Sequence, residues 1–423
     1  MSKKRNIVKS FSARVILNFK LIKMAENILK RTELVDRIID MELDNHVKLL
    51  TGVRGVGKSI LLKQIMDELK IRGVHQDNLI FISFFSQSYR NKELRELYKS
   101  IEDKILETGG KSYLFFDDVE VFPKWQSLLN YLRVNPNCEI YAAVNYSKFF
   151  SREEKAELAG RSFKFEIFPF SFREFVDYHR EFDDDISISE LFMEYVRFGG
   201  MPELLQLEYS GDKLSALEQI FKIVLYQDFV KDSDMDEFLV KTFLEFMIEN
   251  FTEKFSFKKA IKALYDEDEY DLINSCRYLM PYSSLMYNSN ITNSLNRKIS
   301  FDERYYLADH GLYNVVYRND NYILEKLLKN IVFIELLRRG YCVFFMKDNK
   351  KTIDFVCSDF NRKIVIQFDY IFLNDEIARK EIESLNSQNF TDEKYIITTG
   401  NYDFSKFGVK HLNIIDFLLC DEI

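Results

Sequence analysis

The sequence predicts an α/β fold: a phosphate-loop domain on a parallel sheet, then a helical segment, a small winged-helix-like unit and a second α/β unit at the end of the chain. Three observations predict it. Residues 48–65, KLLTGVRGVGKSILLKQI, hold three glycines in six positions, although the chain has 14 glycines among 423 residues. Short apolar runs separated by helical stretches follow one another between residues 47 and 168, the pattern of a parallel sheet covered by helices. Two aspartates, Asp117 and Asp118, follow one of those runs directly.

The glycine loop comes first. Gly52, Val53, Arg54, Gly55, Val56, Gly57, Lys58 and Ser59 fit G-x-x-x-x-G-K-[ST], a nucleotide phosphate cradle. An apolar run, Val47–Leu50, precedes it as a strand, and Ile60, Leu61, Leu62, Ile65, Met66 and Leu69 follow at helical spacing. Glycine permits positive φ and lets backbone approach a phosphate closely. The N–H groups at the start of the helix then face an anion that the helix dipole favours. Lys58 is placed to reach the β- and γ-phosphates of ATP, and Ser59 to ligate Mg²⁺.

The remaining strands follow in order. LIFISFF, SYLFFDDV, EIYAAVN and FKFEIF read as the second to fifth, with an amphipathic helix in ELRELYKSIEDKILE. Ligands of such sheets sit at the carboxyl ends of strands, where the glycine loop, the Asp117–Asp118 pair and Asn145 all fall. Asp117 is the expected Mg²⁺ carboxylate, and Asp118 the group that orients attacking water. Asn145 and Ser147 are placed to hydrogen-bond the γ-phosphate or that water. Domain boundaries are expected at 1–24 (basic tail), 25–170 (ATPase-type domain), 171–212 (helical lid), 213–316 (winged-helix-like or small α+β unit) and 317–423 (end domain). Ser256 is the expected N-cap of a helix in FKKAIKAL, EYDLINSCRYLM a second helix, and SSLMYN with ERYYLAD a hairpin. From Leu324 on, the pattern is a long helix, three strands, helix, strand and helix.

Composition bounds the rest. No run approaches the roughly 18 apolar residues of a membrane span. The five cysteines, Cys138, Cys276, Cys342, Cys357 and Cys420, are scattered without a C-x-x-C pair, which argues against zinc or a disulfide frame and for a cytoplasmic location. The first 23 residues carry seven Lys/Arg and no Asp/Glu, so the rest of the chain is more acidic than the overall −8. Such a body argues against wholesale coating by nucleic acid. The basic start is read as a flexible tail, with Met24 an alternative initiator.

Blocks through most of the chain carry a family resemblance. They are GVRGVGKS, LFFDDVEVFPKW, LAGRSFKFEIFPFSFREF, FGGMPELL, ISFDERYYLADHGLYN, LLKNIVFIELLRRGYCVFF, TIDFV and IVIQFDY. In these the chain resembles the prokaryotic AAA-type ATPases whose carboxy-terminal half, of unknown function, ends in a restriction-endonuclease-like, PD-(D/E)xK-like domain. The resemblance implies an AAA-like ATP site, a helical lid, a winged helix and a nuclease-like end domain. It sets Asp118 where many members have glutamate, a shorter reach toward water that implies slow turnover. It also matches Arg161 to the family's Gly-Arg pair, as a sensor of the γ-phosphate, a contact to a neighbouring subunit in a homo-oligomer, or a structural ion pair.

In the end domain, Glu335, Asp354, Gln367 and Asp369 are expected to converge. In restriction-like nucleases such a cluster binds Mg²⁺, and a lysine two residues after the Glu/Gln activates water. Here Asp369 occupies that lysine's position, and Lys380 or Arg379 is the stand-in cation. The expected end domain is therefore a nuclease-like fold that does not cut. Three functions follow: an ATPase that uses Mg-ATP to rearrange its domains, a nucleotide-gated switch acting on nucleic acid or protein, and an ATP-regulated nuclease.

Overall fold

The computed structural model of the chain describes residues 28–423 apart from 44, 87–88, 90–91, 146–157, 232–235, 256–283, 293–297, 318–322, 349–350, 360–361, 372–374, 387–392 and 422. The basic tail, Met24, Ser147, the Ser256 cap and the two helices read within 256–283 lie outside the described residues.

The first sheet holds β1 (Val47–Thr51), β2 (Leu79–Ser83), β3 (Ser112–Asp117), β4 (Cys138–Ala143) and β5 (Ser162–Glu166). Their order is β2-β3-β4-β1-β5 and every pairing is parallel. β1 is an interior strand and is buried along its whole length, as expected of a strand covered on both faces. Its register against β4 and β5 brings Thr51, Ala143 and Glu166 to one edge. β3 ends at that edge too, with Ser83 of β2 opposite Asp117. Helices α1 (Thr32–Asp40), α2 (Lys58–Ile71), α3 (Leu94–Thr108) and α4 (Trp125–Leu132) belong to this part of the chain. One face of α3 buries Leu97, Ile101 and Ile105 at four-residue spacing.

The lid begins at Ser171, which caps α5 (Phe172–Arg180). The Ser171 side chain accepts from Glu174 N–H, and the Glu174 carboxylate accepts from Ser171 N–H, a reciprocal capping box. The block PFSFREF thus encodes the turn from sheet to lid. α6 (Ile188–Phe198) and α7 (Ser210–Val224) follow, and α7 continues into a π-helical turn, Leu225–Val230, before α8 (Glu237–Glu249). The expected boundary at 212/213 falls inside α7 and is not a break. The lid extends through the π turn because α7 carries a continuous apolar face, with Leu217, Ile220, Phe221 and Val224 buried.

The expected boundary at 316/317 is also absent. β6 (Lys254–Phe255), β7 (Met286–Thr292), β8 (Lys298–Leu307), β9 (Cys342–Asp348), β10 (Lys351–Ser358), β11 (Lys363–Phe368), β12 (Glu393–Thr398) and β13 (Val409–Asn413) form one sheet. Its order is β13-β12-β11-β10-β9-β7-β8-β6. The antiparallel hairpin β7–β8 occurs as read, but β7 also pairs in parallel with β9 across that boundary. Helices α9 (Leu324–Arg338), α10 (Asp375–Asn386) and α11 (Ile414–Leu419) complete the end region. Of three hydrophobic clusters among the described residues, the most extended runs from Leu50 and Phe115 of the first sheet through Phe172 and Tyr195 of the lid to Tyr306, Phe355 and Phe417.

The blocks FGGMPELL and LADHGLYN meet across this core. Asp309 is buried, and its carboxylate accepts from Gly200 N–H and Gly311 N–H at 2.8 Å each. A Cβ on Gly199 would lie 1.8 Å from Asp309 Oδ1, so the Gly-Gly pair is the space that admits the carboxylate. Among the described residues the cysteines are free, and no helix is long and apolar enough to cross a membrane.

Candidate nucleotide site

The carboxyl edge of the first sheet opens into a cavity of about 490 Å³, within the roughly 300–1,000 Å³ of ligand sites. Arg54, Gly55, Val56, Gly57, Lys58, Ser59, Asp117, Asp118 and Asn145 line it, with apolar walls from Leu29, Pro202, Leu205, Ile220 and Ile223. The glycine loop takes the conformation its composition requires. Gly52, Gly55 and Gly57 have φ of +144°, +82° and +94°. A Cβ on Gly52 would meet Ile167 O at 2.2 Å, so that position must be glycine to let the loop lie against β5's exit. Gly57 caps α2, and the first N–H groups of α2 have no partner within the helix.

Lys58 folds over the loop, and its Nζ donates to Gly52 O at 2.7 Å and Val53 O at 3.0 Å. Burial pushes its pKa down to about 8, opposed first by the charge of Glu120. Ser59 Oγ donates to Asp117 Oδ1 at 2.7 Å. A hydroxyl and a carboxylate converging from the loop and the β3 end are the donor set that suits Mg²⁺, so these residues fit the ion. Asp118 follows with φ +49°, a left-handed conformation uncommon for a non-glycine residue. That turn places its carboxylate beside Asn145, whose Nδ2 donates to Asp118 Oδ1 at 3.0 Å and to Glu120 Oε1 at 2.7 Å.

Glu120 did not figure in the sequence reading. It is buried on the short turn after β3, and among the described residues its Oε2 has no hydrogen-bond partner. Burial, then the Asp118 charge, raises its pKa to about 7. Burial and Asp117 also raise the Asp118 carboxyl. The signal in the sequence was the spacing D-D-x-E. Arg31 was missed as well: it lines the cavity, donates from Nε to Glu174 Oε1 at 2.7 Å and from Nη1 to Phe168 O at 3.0 Å. Asp228, on the π turn, accepts from Arg54 Nε at 2.7 Å.

Arg161 requires a correction. It sits just before β5, and its carbonyl accepts from Val47 N–H, at the start of β1. The length of β1 therefore separates it from the phosphate loop. Its Nη1 reaches Asn130 Oδ1 at 3.3 Å on the sheet's opposite edge. A γ-phosphate sensor within the same subunit is excluded by that placement.

The end-domain cluster does not assemble as expected either. Glu335 and Asp354 share no ion-pair partner among the described residues. Glu335 pairs with Arg338, and with Arg339 Nε at 2.8 Å. Those arginines tie it to Pro169 O, Phe417 O and Cys420 O. Asp354 is buried between two cations, Arg304 at 3.1 Å and Lys329 at 3.4 Å. Gln367 Oε1 lies 3.4 Å from Asp354 N, so these two do adjoin. Asp369 is raised by burial, then by Glu381 and Glu325. Lys380 and Arg379 are exposed and pair along their own helix with Glu376 and Glu383. Among the described residues no group of three or more His, Cys, Asp and Glu is set to hold a metal.

Residues 44–176 match the family described as AAA domain. That part of the chain is similar to AAA domains. A protein of Haemophilus influenzae is 26% identical over 407 residues, covering 94% of this chain and 100% of its own length. A protein of Methanocaldococcus jannaschii is 27% identical over 375 residues, covering 84% of this chain and 82% of its own. Both are described as uncharacterized, and both extend well beyond the AAA domain. Solved structures are more distant. The AMPPCP-bound DnaA of Aquifex aeolicus has 16% identity and a TM-score of 0.33, with 60% of this chain and 88% of that one covered. A signal-transduction ATPase of Pyrococcus horikoshii with a tetratricopeptide repeat sensor has 15% identity and a TM-score of 0.30, with 74% of this chain covered. This chain spans 46% of that protein's length.

Proposed function

We propose that the protein is a Mg-ATP-dependent ATPase whose nucleotide state sets the arrangement of the lid and the eight-stranded sheet. The observation that carries it is the convergence of Lys58, the Ser59–Asp117 pair at 2.7 Å and the Asp118–Asn145–Glu120 chain on one cavity. Loop N–H groups and Lys58 bind the phosphates, while Ser59 and Asp117 hold the metal. Mg²⁺ bound there supplies positive charge to the phosphate oxygens. Water oxygen bonds to the γ-phosphorus as the bond to the β–γ bridging oxygen breaks. The electron pair leaves with ADP, and the water proton passes to Asp118. Asn145 fixes that carboxylate from one side. Burial and the like charge of Asp117 raise the Asp118 carboxyl, which favours its taking the proton.

Turnover by the purified chain tests the reading. Asp117→Asn is expected to weaken Mg²⁺-dependent binding. Asp118→Asn is expected to spare binding and slow hydrolysis, and Asp118→Glu to speed it by restoring reach. Two mutants hydrolysing at the wild-type rate would refute the assignment.

A second reading is a nucleotide-gated switch on nucleic acid or protein, in which hydrolysis only resets the state. The short Asp118 side chain and the continuous core between lid and sheet favour it. An ATPase assay with and without DNA separates the two: a DNA-independent, slow rate with nucleotide-dependent binding supports the switch.

A further inference from the structure

We infer that Arg54 is the cation that closes on the terminal phosphate of the nucleotide, and that Asp228 on the lid is its positioning residue. This rests on the nucleotide reading above and deepens it.

Arg54 is the third residue of the loop, between Gly52 and Gly55. It lines the same cavity as Lys58, Asp117 and Asn145. Its Nε donates to Asp228 Oδ1 at 2.7 Å, with side-chain exposures of 17% for Arg54 and 1% for Asp228. A pair this buried has a desolvation cost that an apolar pair would avoid, so it is weak evidence for a purely stabilising role. The bond uses Nε alone. Among the described residues, Nη1 and Nη2 make no hydrogen bond. A planar guanidinium anchored through Nε retains four donors in fixed geometry, suited to two phosphate oxygens at once. The position is also right electrostatically. The Arg54 charge acts on Asp118 and Glu120, which it holds down, and on Lys58. The group therefore stands at the reacting end of the cavity.

Asp228 supplies the link to the rest of the molecule. It lies on the π-helical turn that continues α7, a local geometry that recurs at functional sites. Ile220 on α7 stands 3.6 Å from the Cβ position of Gly55, so lid and loop are already in contact. A terminal phosphate would share the guanidinium with Asp228, and its loss would return the guanidinium to the lid alone. The lid thereby reads whether the nucleotide has two phosphates or three. With Arg161 at the far edge of the sheet, this cation comes from the loop itself.

The experiment is equilibrium binding of fluorescent ADP and of a non-hydrolysable ATP analogue, with steady-state turnover beside it. The wild type should prefer the triphosphate. In Arg54→Ala that preference should fall about 10- to 100-fold, the value of one or two charge-assisted hydrogen bonds, with ADP affinity unchanged. Turnover should fall on the order of 10³-fold. Arg54→Lys, which keeps a charge opposite Asp228 but lacks the fork, should be intermediate. Asp228→Asn should lower kcat while leaving ADP affinity in place, and Asp228→Glu should recover part of it. A preference unchanged in Arg54→Ala overturns the inference and leaves the ATPase reading standing. Equal loss of both nucleotides in every variant also overturns it, since that marks a structural role. A wild type that binds neither nucleotide overturns both.

Discussion

Lys58 sits where two demands meet, the phosphate binding proposed for it and burial of its own charge. Its ammonium is satisfied by the loop carbonyls Gly52 O and Val53 O. Lys58→Ala should therefore fold, and should lose most nucleotide binding, at least about 100-fold. Titration with a fluorescent ATP analogue measures it, and unchanged affinity would sink the phosphate assignment. Gly52 and Gly211 make a second, sharper pair. Gly52 has φ +144° and no room for a Cβ, whereas a Cβ on Gly211 meets nothing within 4 Å. Gly52→Ala should cost more than about 1 kcal/mol. Gly211→Ala, in the first turn of α7, should be neutral or stabilising by up to about 1 kcal/mol. Urea unfolding of both distinguishes strain from a general intolerance of substitution. The loop was legible because its chemistry is local: glycine spacing, then Lys-Ser, between strand and helix. Glu120 and Asp228 were not, because each is brought in by a turn. For Glu120 it is the left-handed Asp118, and for Asp228 the π segment, neither of which has a periodic signature.

Among the elements, the five strands of the first sheet were read in place, since each is a short apolar run and β1 is buried throughout. β13 was missed. Its sequence, VKHLN, is polar at the edge of its sheet and has no alternation to reveal it. The turn that carries Asp309 and His310 was equally silent, because its partners are on α6 and the Gly199–Gly200 turn. Asp309→Asn keeps one acceptor but sets an NH₂ against the second glycine N–H. That should cost about 1–3 kcal/mol, measured as a shift in urea midpoint at constant slope. His310 is buried, with Nε2 2.7 Å from Tyr195 O. Burial holds its imidazole below the ordinary value near 6.5, with Asp309 opposing. The unfolded chain then takes up a proton that the folded chain refuses, so stability rises with pH in this window. His310 therefore contributes full stability above about pH 6.5 and loses it progressively as pH falls below that. The raised Asp309 carboxyl acts with the opposite sign and at lower pH. Thermal melts at pH 7 and pH 5 should show a smaller drop for His310→Gln than for the wild type.

Across the whole molecule, the expected division into four folded units gives way to two sheets joined by a lid and one shared core. Domain boundaries were the least legible feature, because a composition change marks a change of element and not a gap in packing. The end region should not cut nucleic acid. Asp354 is matched by Arg304 and Lys329, so its charge is already neutralised within the protein. Supercoiled plasmid should survive incubation with the purified chain and Mg²⁺ or Mn²⁺. Cleavage abolished by Asp354→Ala would overturn that. The same substitution should instead destabilise by about 3–5 kcal/mol, since it leaves the buried Arg304 without its carboxylate, while Lys329 keeps Glu325. The pairing of β7 with β9 has a further consequence. A gene shortened after residue 316 would not yield a self-contained amino-terminal unit with its accessory part removed. It would leave β7 with a bare row of amide and carbonyl groups, ready to zip onto another copy. It would also strip the contacts that Arg338 and α11 make at the root of the lid. The two sheets thus depend on shared packing, and cutting the chain between them is a route to aggregates before it is a route to a smaller folded unit.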